Sequence, residues 1–145
     1  MIVERSIDIE AEPRRVWALV SEPEQVLAWY LPLLRFEYTS EQRGTGAPLL
    51  FEQKTPMGTA QFHCVVTDWI ENERFSFRMT SGNMMKSYEE RWTLEATPAG
   101  TRFTFREEGD LDLGFLGKLI QPIAQRNSKV TVDKMLARLK GLAES

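Results

Sequence analysis

Between Leu34 and Glu108 apolar and polar residues alternate with a period of two, and the alternation breaks at "RGTG", "PMG", "ENE", "GNM" and "TPAG". Such a period puts successive side chains on opposite faces of an extended strand, while Gly, Pro and Asn supply turns. The spacing therefore predicts strands over Leu34–Glu41, Pro48–Thr55, Thr59–Glu71, Arg74–Ser81, Lys86–Ala96 and Thr101–Glu108. Ile2–Glu10 alternates in the same way, with Val3, Ile7 and Ile9 on one side. Helical spacing appears in three places. Val16, Trp17 and Val20 follow Pro13, and "EPEQVLAWY" follows Ser21, which reads as its cap. After Gly114, Leu116, Leu119, Ile120 and Ile123 lead to Val132, Met135, Leu136, Leu139 and Leu142, one long helix bent near Pro122. Strand, two short helices, six hairpin-linked strands and a long helix predict an α+β fold, the helix lying across one face of an antiparallel sheet.

Parity then assigns faces. The apolar side of each strand is taken as inward: Arg5, Ile7 and Ile9; Phe36 and Tyr38; Leu49 and Phe51; Phe62, Cys64 and Val66; Phe75, Phe77 and Met79; Tyr88, Glu90, Trp92 and Leu94; Phe103, Phe105 and Glu107. Glu90 is anomalous, a carboxylate between a tyrosine and a tryptophan. Hairpin partners must face the same side, which tests the assignment. With Ala96 opposite Thr101 across "TPAG", Leu94 meets Phe103, Trp92 meets Phe105 and Glu90 meets Glu107. A three-residue turn would instead set Phe103 against Glu95. Two like charges opposed on one sheet face are unfavourable, so the pair requires a neutralising partner or a proton.

Composition narrows the setting. The chain has 145 residues, expected to form one domain, with 42% hydrophobic and 27% charged residues and a net charge of -3. No basic run marks a nucleic-acid surface. A start at "MIVERSIDIE" and the lack of any long apolar run argue against a signal peptide and membrane insertion. One cysteine, Cys64, and one histidine, His63, argue against a disulfide or a metal site and are in keeping with a reducing, cytoplasmic setting. His63 shares parity with Gln61 and Val65 on the outer face. Cys64 points inward, where apolar surroundings leave a thiol inert.

"IEAEPRRVWALVSEPEQVLAWY" at the front, "ATPAGTRFTF" near the end and the long final helix resemble the START-like (helix-grip) superfamily. That superfamily includes birch-pollen-allergen-like proteins and the polyketide cyclase/dehydrase group, and the likeness spans essentially the whole chain. It implies a curved seven-stranded sheet gripping the helix around a cavity for an apolar small molecule. It also implies a first strand antiparallel to the last, which would bring Arg5 to Glu107 and gather Arg5, Glu107 and Glu90 into one inward polar cluster. It brings no universal catalytic set, and no cofactor is expected. A paired-glycine segment typical of heat-shock ATPase activators is only loosely matched by "RGTGAPLLFE".

The expected cavity wall comprises Phe36, Tyr38, Phe51, Phe62, Phe77, Met79, Tyr88, Trp92 and Phe105 from the sheet, with Trp29 at one end. Leu116, Ile120, Ile123 and Asn127 come from the long helix, and Arg5, Glu90 and Glu107 supply polar anchors. The same aromatics are also what an ordinary core requires, and the two glutamates are equally readable as a structural pair. "TSGNMMKS" is either a lid or a hydrophobic loop tip. Two functions stay open: a carrier of a lipid-, polyketide- or ring-like ligand, or a cyclase/dehydratase-type enzyme using Glu90 and Glu107 as an acid/base pair. A co-chaperone module is a further alternative, and an exposed strand or helix leaves room for a homodimer.

Overall fold

A computed structural model describes residues 1–145. The elements follow the expected order. Strand β1 (Ile2–Ile9) leads to helices α1 (Pro13–Ser21) and α2 (Pro23–Trp29). Then come β2 (Leu33–Tyr38), β3 (Pro48–Thr55), β4 (Gly58–Ile70), β5 (Arg74–Gly82), β6 (Met85–Thr97), β7 (Gly100–Leu111) and α3 (Phe115–Glu144). All seven strands form one antiparallel sheet in the order β1-β7-β6-β5-β4-β3-β2. This is the helix-grip fold. No helix is long and apolar enough to cross a membrane.

The β6–β7 hairpin has the register that parity required: Ala96 opposite Thr101, Leu94 opposite Phe103, Trp92 opposite Phe105 and Glu90 opposite Glu107. Gly100 closes the turn at φ +152°, and a Cβ there would lie 2.3 Å from the Ile9 carbonyl oxygen. Only glycine lets β1 and the hairpin approach so closely. Two local expectations are corrected. Ser21 belongs to α1, where its hydroxyl donates to the Trp17 carbonyl; Glu22 precedes α2 and no side chain caps it. "TSGNMMKS" is mostly strand rather than loop: β5 reaches Gly82 and β6 starts at Met85, which leaves the turn at "GNM". The long helix runs as one element through Pro122.

Helices α1 and α2 and the C-terminal half of α3 cover the concave face. Val16, Val20, Val26, Trp29, Val132, Met135, Leu136 and Leu139 bury against Phe36, Phe51, Phe75, Phe77, Trp92, Phe103 and Phe105. Trp92 is the hub. Six rings (Trp29, Tyr30, Phe36, Phe75, Phe77 and Phe105) surround it at centroid distances of 5.1–6.2 Å. Offset and edge-on aromatic pairs at such separations add to the burial of area itself. The N-terminal half of α3 is different. Phe115, Leu116, Leu119 and Ile123 remain exposed, and Gly117 is the one buried residue before Val132. The helix is clamped along β1 instead: Gln125 donates to the Ile2 carbonyl, Lys140 to that of Asp8, and Arg5 pairs with Asp133.

Truncating the hub should be costly. Trp92→Ala is expected to lower stability by about 3–5 kcal/mol, read as a reduced urea midpoint. It also removes one of the donors that hold Glu90. An unchanged midpoint would mean that the aromatic half of the sheet is not the main source of cohesion.

Candidate functional site

Because α3 leaves the sheet along its first half, a cavity of about 260 Å³ opens between them. The β3–β4 turn (Thr55, Pro56, Met57), the β5–β6 turn (Met84, Met85) and the end of β7 (Leu111) form its rim. Ile120, Ile123, Ala124, Asn127, Ser128 and Thr131 of α3 close one side. Tyr30, Phe62, Tyr88 and Glu107 lie at its inner end. Five of the chain's six methionines line it: Met1, Met57, Met84, Met85 and Met135. Thioether side chains are flexible and polarisable, so this wall can adjust to the shape of what it encloses.

The expected wall is thus divided by the structure. Phe62, Tyr88, Glu107, Ile120, Ile123 and Asn127 line the cavity. Trp29, Phe36, Phe51, Phe77, Trp92 and Phe105 do not; they are fully buried against one another and fill the other half of the grip. Parity finds the face of a strand, but not how far along that face the helix stays in contact. Tyr38 closes the filled end, donating to the Ser21 carbonyl with the Arg43 guanidinium 4.2 Å over its ring. Met79 packs at the edge of the core, and Leu116 points to solvent. Sequence reasoning missed Tyr30, Ser128 and the rim methionines other than Met84 and Met85. For Tyr30 the signal was present: it stands beside Trp29 and ends an amphipathic helix.

The two glutamates sit where the filled and open halves meet. Glu90 and Glu107 are 2% and 7% exposed. Arg5 does not join them. Its register partner is Phe105, whereas Val3 lies opposite Glu107, and its guanidinium makes a two-pronged pair with Asp133 at 2.7 and 2.8 Å. Aromatic donors hold the carboxylates instead. Tyr30 and Tyr88 donate to Glu90 Oε2 at 2.7 and 2.5 Å, and Trp92 Nε1 donates to Oε1 at 3.0 Å. The Tyr88 hydroxyl also lies 2.8 Å from Glu107 Oε2. Glu90 therefore lies behind the two tyrosines, while Glu107 faces the cavity.

Proton counting constrains this cluster. The Tyr88 hydroxyl has one hydrogen and meets two carboxyl oxygens. If both glutamates were ionised, one of those contacts would oppose two oxygen lone pairs. A proton on the glutamate pair removes the conflict. Burial together with the charge of Glu107 pushes Glu90 up to about 8, against the opposing pull of Tyr30, Tyr88 and Trp92. Burial also raises Glu107, opposed by Tyr88 and by the Ser128 hydroxyl facing it from α3. At neutral pH the pair keeps at least one proton, which belongs to the pair rather than to either residue. Tyr30 and Tyr88 stay protonated, raised by burial and by the glutamate charge. Cys64, buried beneath, is raised chiefly by burial and takes no part.

The comparisons with known proteins fit this architecture. A family model described as polyketide cyclase / dehydrase and lipid transport matches residues 1–144. The chain belongs to that family. A solved structure from Thermus thermophilus is similar over 99% of this chain and 97% of its own, at 18% identity and a TM-score of 0.85. A START superfamily protein from Mycobacterium smegmatis covers the same shares at 16% identity and TM-score 0.79. An aromatase/cyclase from a Streptomyces species is similar over 99% of this chain and 93% of its own, at 13% identity and TM-score 0.78. No curated protein matches in sequence. At these identities the neighbours speak for the fold; the family's members share no single activity.

The shared proton has a signed consequence. A glutamate raised on folding binds a proton that the unfolded chain releases, so its contribution is fully present below the ordinary glutamate pKa. It declines as pH climbs toward about 8 and levels off beyond. The slope is at most roughly 1.4 kcal/mol per pH unit for each proton held. Glu107→Gln keeps the shape, donates to Tyr88 and removes one charge. The fall in urea midpoint between pH 5 and pH 8.5 should therefore be clearly shallower than in the parent chain. An identical fall in both proteins would show that the pair does not share a proton.

Proposed function

We propose that the protein binds a small apolar molecule in the cavity between α3 and the sheet, oriented by a polar group meeting Tyr88 and Glu107. The observation that carries this reading is the division of the grip. One half is closed by interlocked rings, and the other keeps about 260 Å³ with a buried, hydrogen-bonding inner end. An apolar cavity of ~150 Å³ holds benzene, so this one suits one or two fused rings or a short branched chain. Ligand sites elsewhere combine mostly apolar walls with a few convergent polar groups. The family description, with its lipid transport members, supports the reading as well.

Filling the cavity tests it without touching the polar cluster. Ala124 faces the cavity from the middle of the α3 wall. Ala124→Trp should leave the unfolding free energy, read from urea titration, within about 1 kcal/mol of the parent, since the space is already there. It should weaken uptake of a neutral naphthalene fluorophore by at least tenfold. Uptake undiminished by the tryptophan would place binding elsewhere and end this proposal.

A second reading, catalysis by a cyclase or dehydratase, is favoured by one feature: a proton held between two carboxyls through a tyrosine that borders the cavity. Glu107 or Tyr88 would meet the substrate, and Glu90 would supply or take up the proton through Tyr88. Acid/base work by such a pair predicts a bell-shaped pH–rate profile. Glu90→Gln should remove one limb of that profile while a ring-containing polyketide mimic still binds; a monotonic profile unaltered by the substitution would discard the enzymatic reading.

A further inference from the structure

The carboxylate pair has no cation. The ion pairs of the molecule all involve other acids, and no lysine, arginine or histidine nitrogen comes within 4 Å of Glu90 or Glu107. The groups that face the pair are neutral: Tyr30 from α2, Tyr88 and Trp92 from β6, Ser128 from α3, and the apolar Val3 opposite on β1. Two cations touch the cavity, Lys54 at its exposed rim and the Met1 ammonium, which donates to the Gly109 carbonyl; neither pairs with Glu90 or Glu107. Glu107 is 7% exposed and lines the cavity, and the donors at its carboxyl are two neutral hydroxyls, Tyr88 at Oε2 and Ser128 from α3. A buried carboxylate that borders an apolar space with neutral donors alone is costly unless something positive arrives there.

We propose that the ligand is an apolar amine, one or two rings or a short branched chain ending in a single ammonium group that docks on the Glu107 carboxyl. This rests on the cavity being a ligand site, and adds the class of molecule. The chemistry is complementary on three counts. An ammonium has three donors and no acceptor, matching a floor of carboxyl acceptors that no cation meets. Its charge supplies the missing counter-ion, which a ligand carboxylate would aggravate and a hydroxyl would only partly replace. An alkylamine, with an ordinary pKa near ~10, is also more basic than the carboxyl pair. Where the pair still holds two protons, amine binding expels one of them; where it holds one, the ammonium neutralises the remaining charge with no proton released. The tyrosine and phenylalanine rings of Tyr30, Tyr88 and Phe62 beside the docking point add faces that attract a cation.

The test uses three probes of one shape: 1-naphthylmethylamine, 1-naphthylmethanol and 1-naphthoic acid, titrated calorimetrically at pH 7 into the full chain. The amine is expected to bind at least tenfold more tightly than the alcohol, and the acid not measurably. In Glu107→Gln the amine-to-alcohol ratio should fall to within about threefold, and circular dichroism will report whether that variant is folded. If it is not, the amine's own pH profile in the parent chain decides. Affinity should drop as the pH falls from 7 to 5 and both carboxyls fill with protons. Alcohol and amine binding equally, a pH-independent preference, or the acid binding best would overturn the amine assignment while leaving the cavity as a binding site. Failure of all three probes to bind would overturn both.

Discussion

Two carboxyl groups are buried without a counter-cation at the one place where the helix parts from the sheet, and the surrounding structure is arranged around that fact. Isolated ionised carboxylates at that depth would be prohibitive. The chain meets the cost by supplying three aromatic donors to Glu90 and by retaining a proton on the pair. Each donor is also a member of the ring cluster. Trp92 fixes six neighbouring rings, and Tyr30 packs on Phe51, Trp92 and Phe105. Hydrophobic packing and polar satisfaction are thus performed by the same side chains. Disturbing the packing moves the donors, and disturbing the donors strands the charge.

That coupling explains why the grip is filled at one end and open at the other. Large flat side chains dominate the part of the sheet beneath α1, α2 and the C-terminal half of α3, where they interlock with Trp29, Val132, Met135 and Leu139. Toward the other end the lining changes to methionine, alanine, serine and threonine. Those residues are smaller or more pliable, and the helix there is anchored sideways to β1 rather than downward onto the sheet. The Arg5–Asp133 pair is half exposed and so is worth little on its own. Its place is geometric: together with the Gln125 and Lys140 contacts it sets the line of the helix beside β1.

Much of this architecture was legible in the residues. Period two with turn chemistry located the strands, and matching faces across "TPAG" yielded the β6–β7 register residue by residue, including Glu90 opposite Glu107. What the pattern did not carry was the depth at which each inward side chain sits. Phe77 and Phe62 have the same parity and chemistry, yet one is locked in the core and the other borders the cavity. That difference depends on the path of α3, set by contacts more than a hundred residues apart in sequence. Arg5 failed for the same kind of reason. It faces the side that parity assigned, but a two-residue displacement along β1 carries it past Glu107, and Asp133 was there to receive it. Tyr30, which replaces it as a partner of Glu90, reaches the cluster from the end of α2, a link that no strand pairing could have disclosed.

The absence of arginine from the cluster alters what the site can do. A carboxylate already matched by a guanidinium is electrostatically finished, and an incoming molecule would gain little from it. A carboxylate satisfied on one oxygen by a tyrosine, and kept partly protonated by its neighbour, remains responsive in both directions. It can donate while it holds the proton and accept once the proton has moved to its partner. Tyr88 stands between the two acids, so a ligand meeting Glu107 changes the hydrogen bonding of Glu90 without touching it. Because Glu90 is in turn held by Trp92, the effect extends into the packed half of the molecule. Occupancy of the cavity and cohesion of the core are therefore linked through one hydroxyl group. A molecule that bound there and altered the protonation of the pair would make the stability it adds depend on pH.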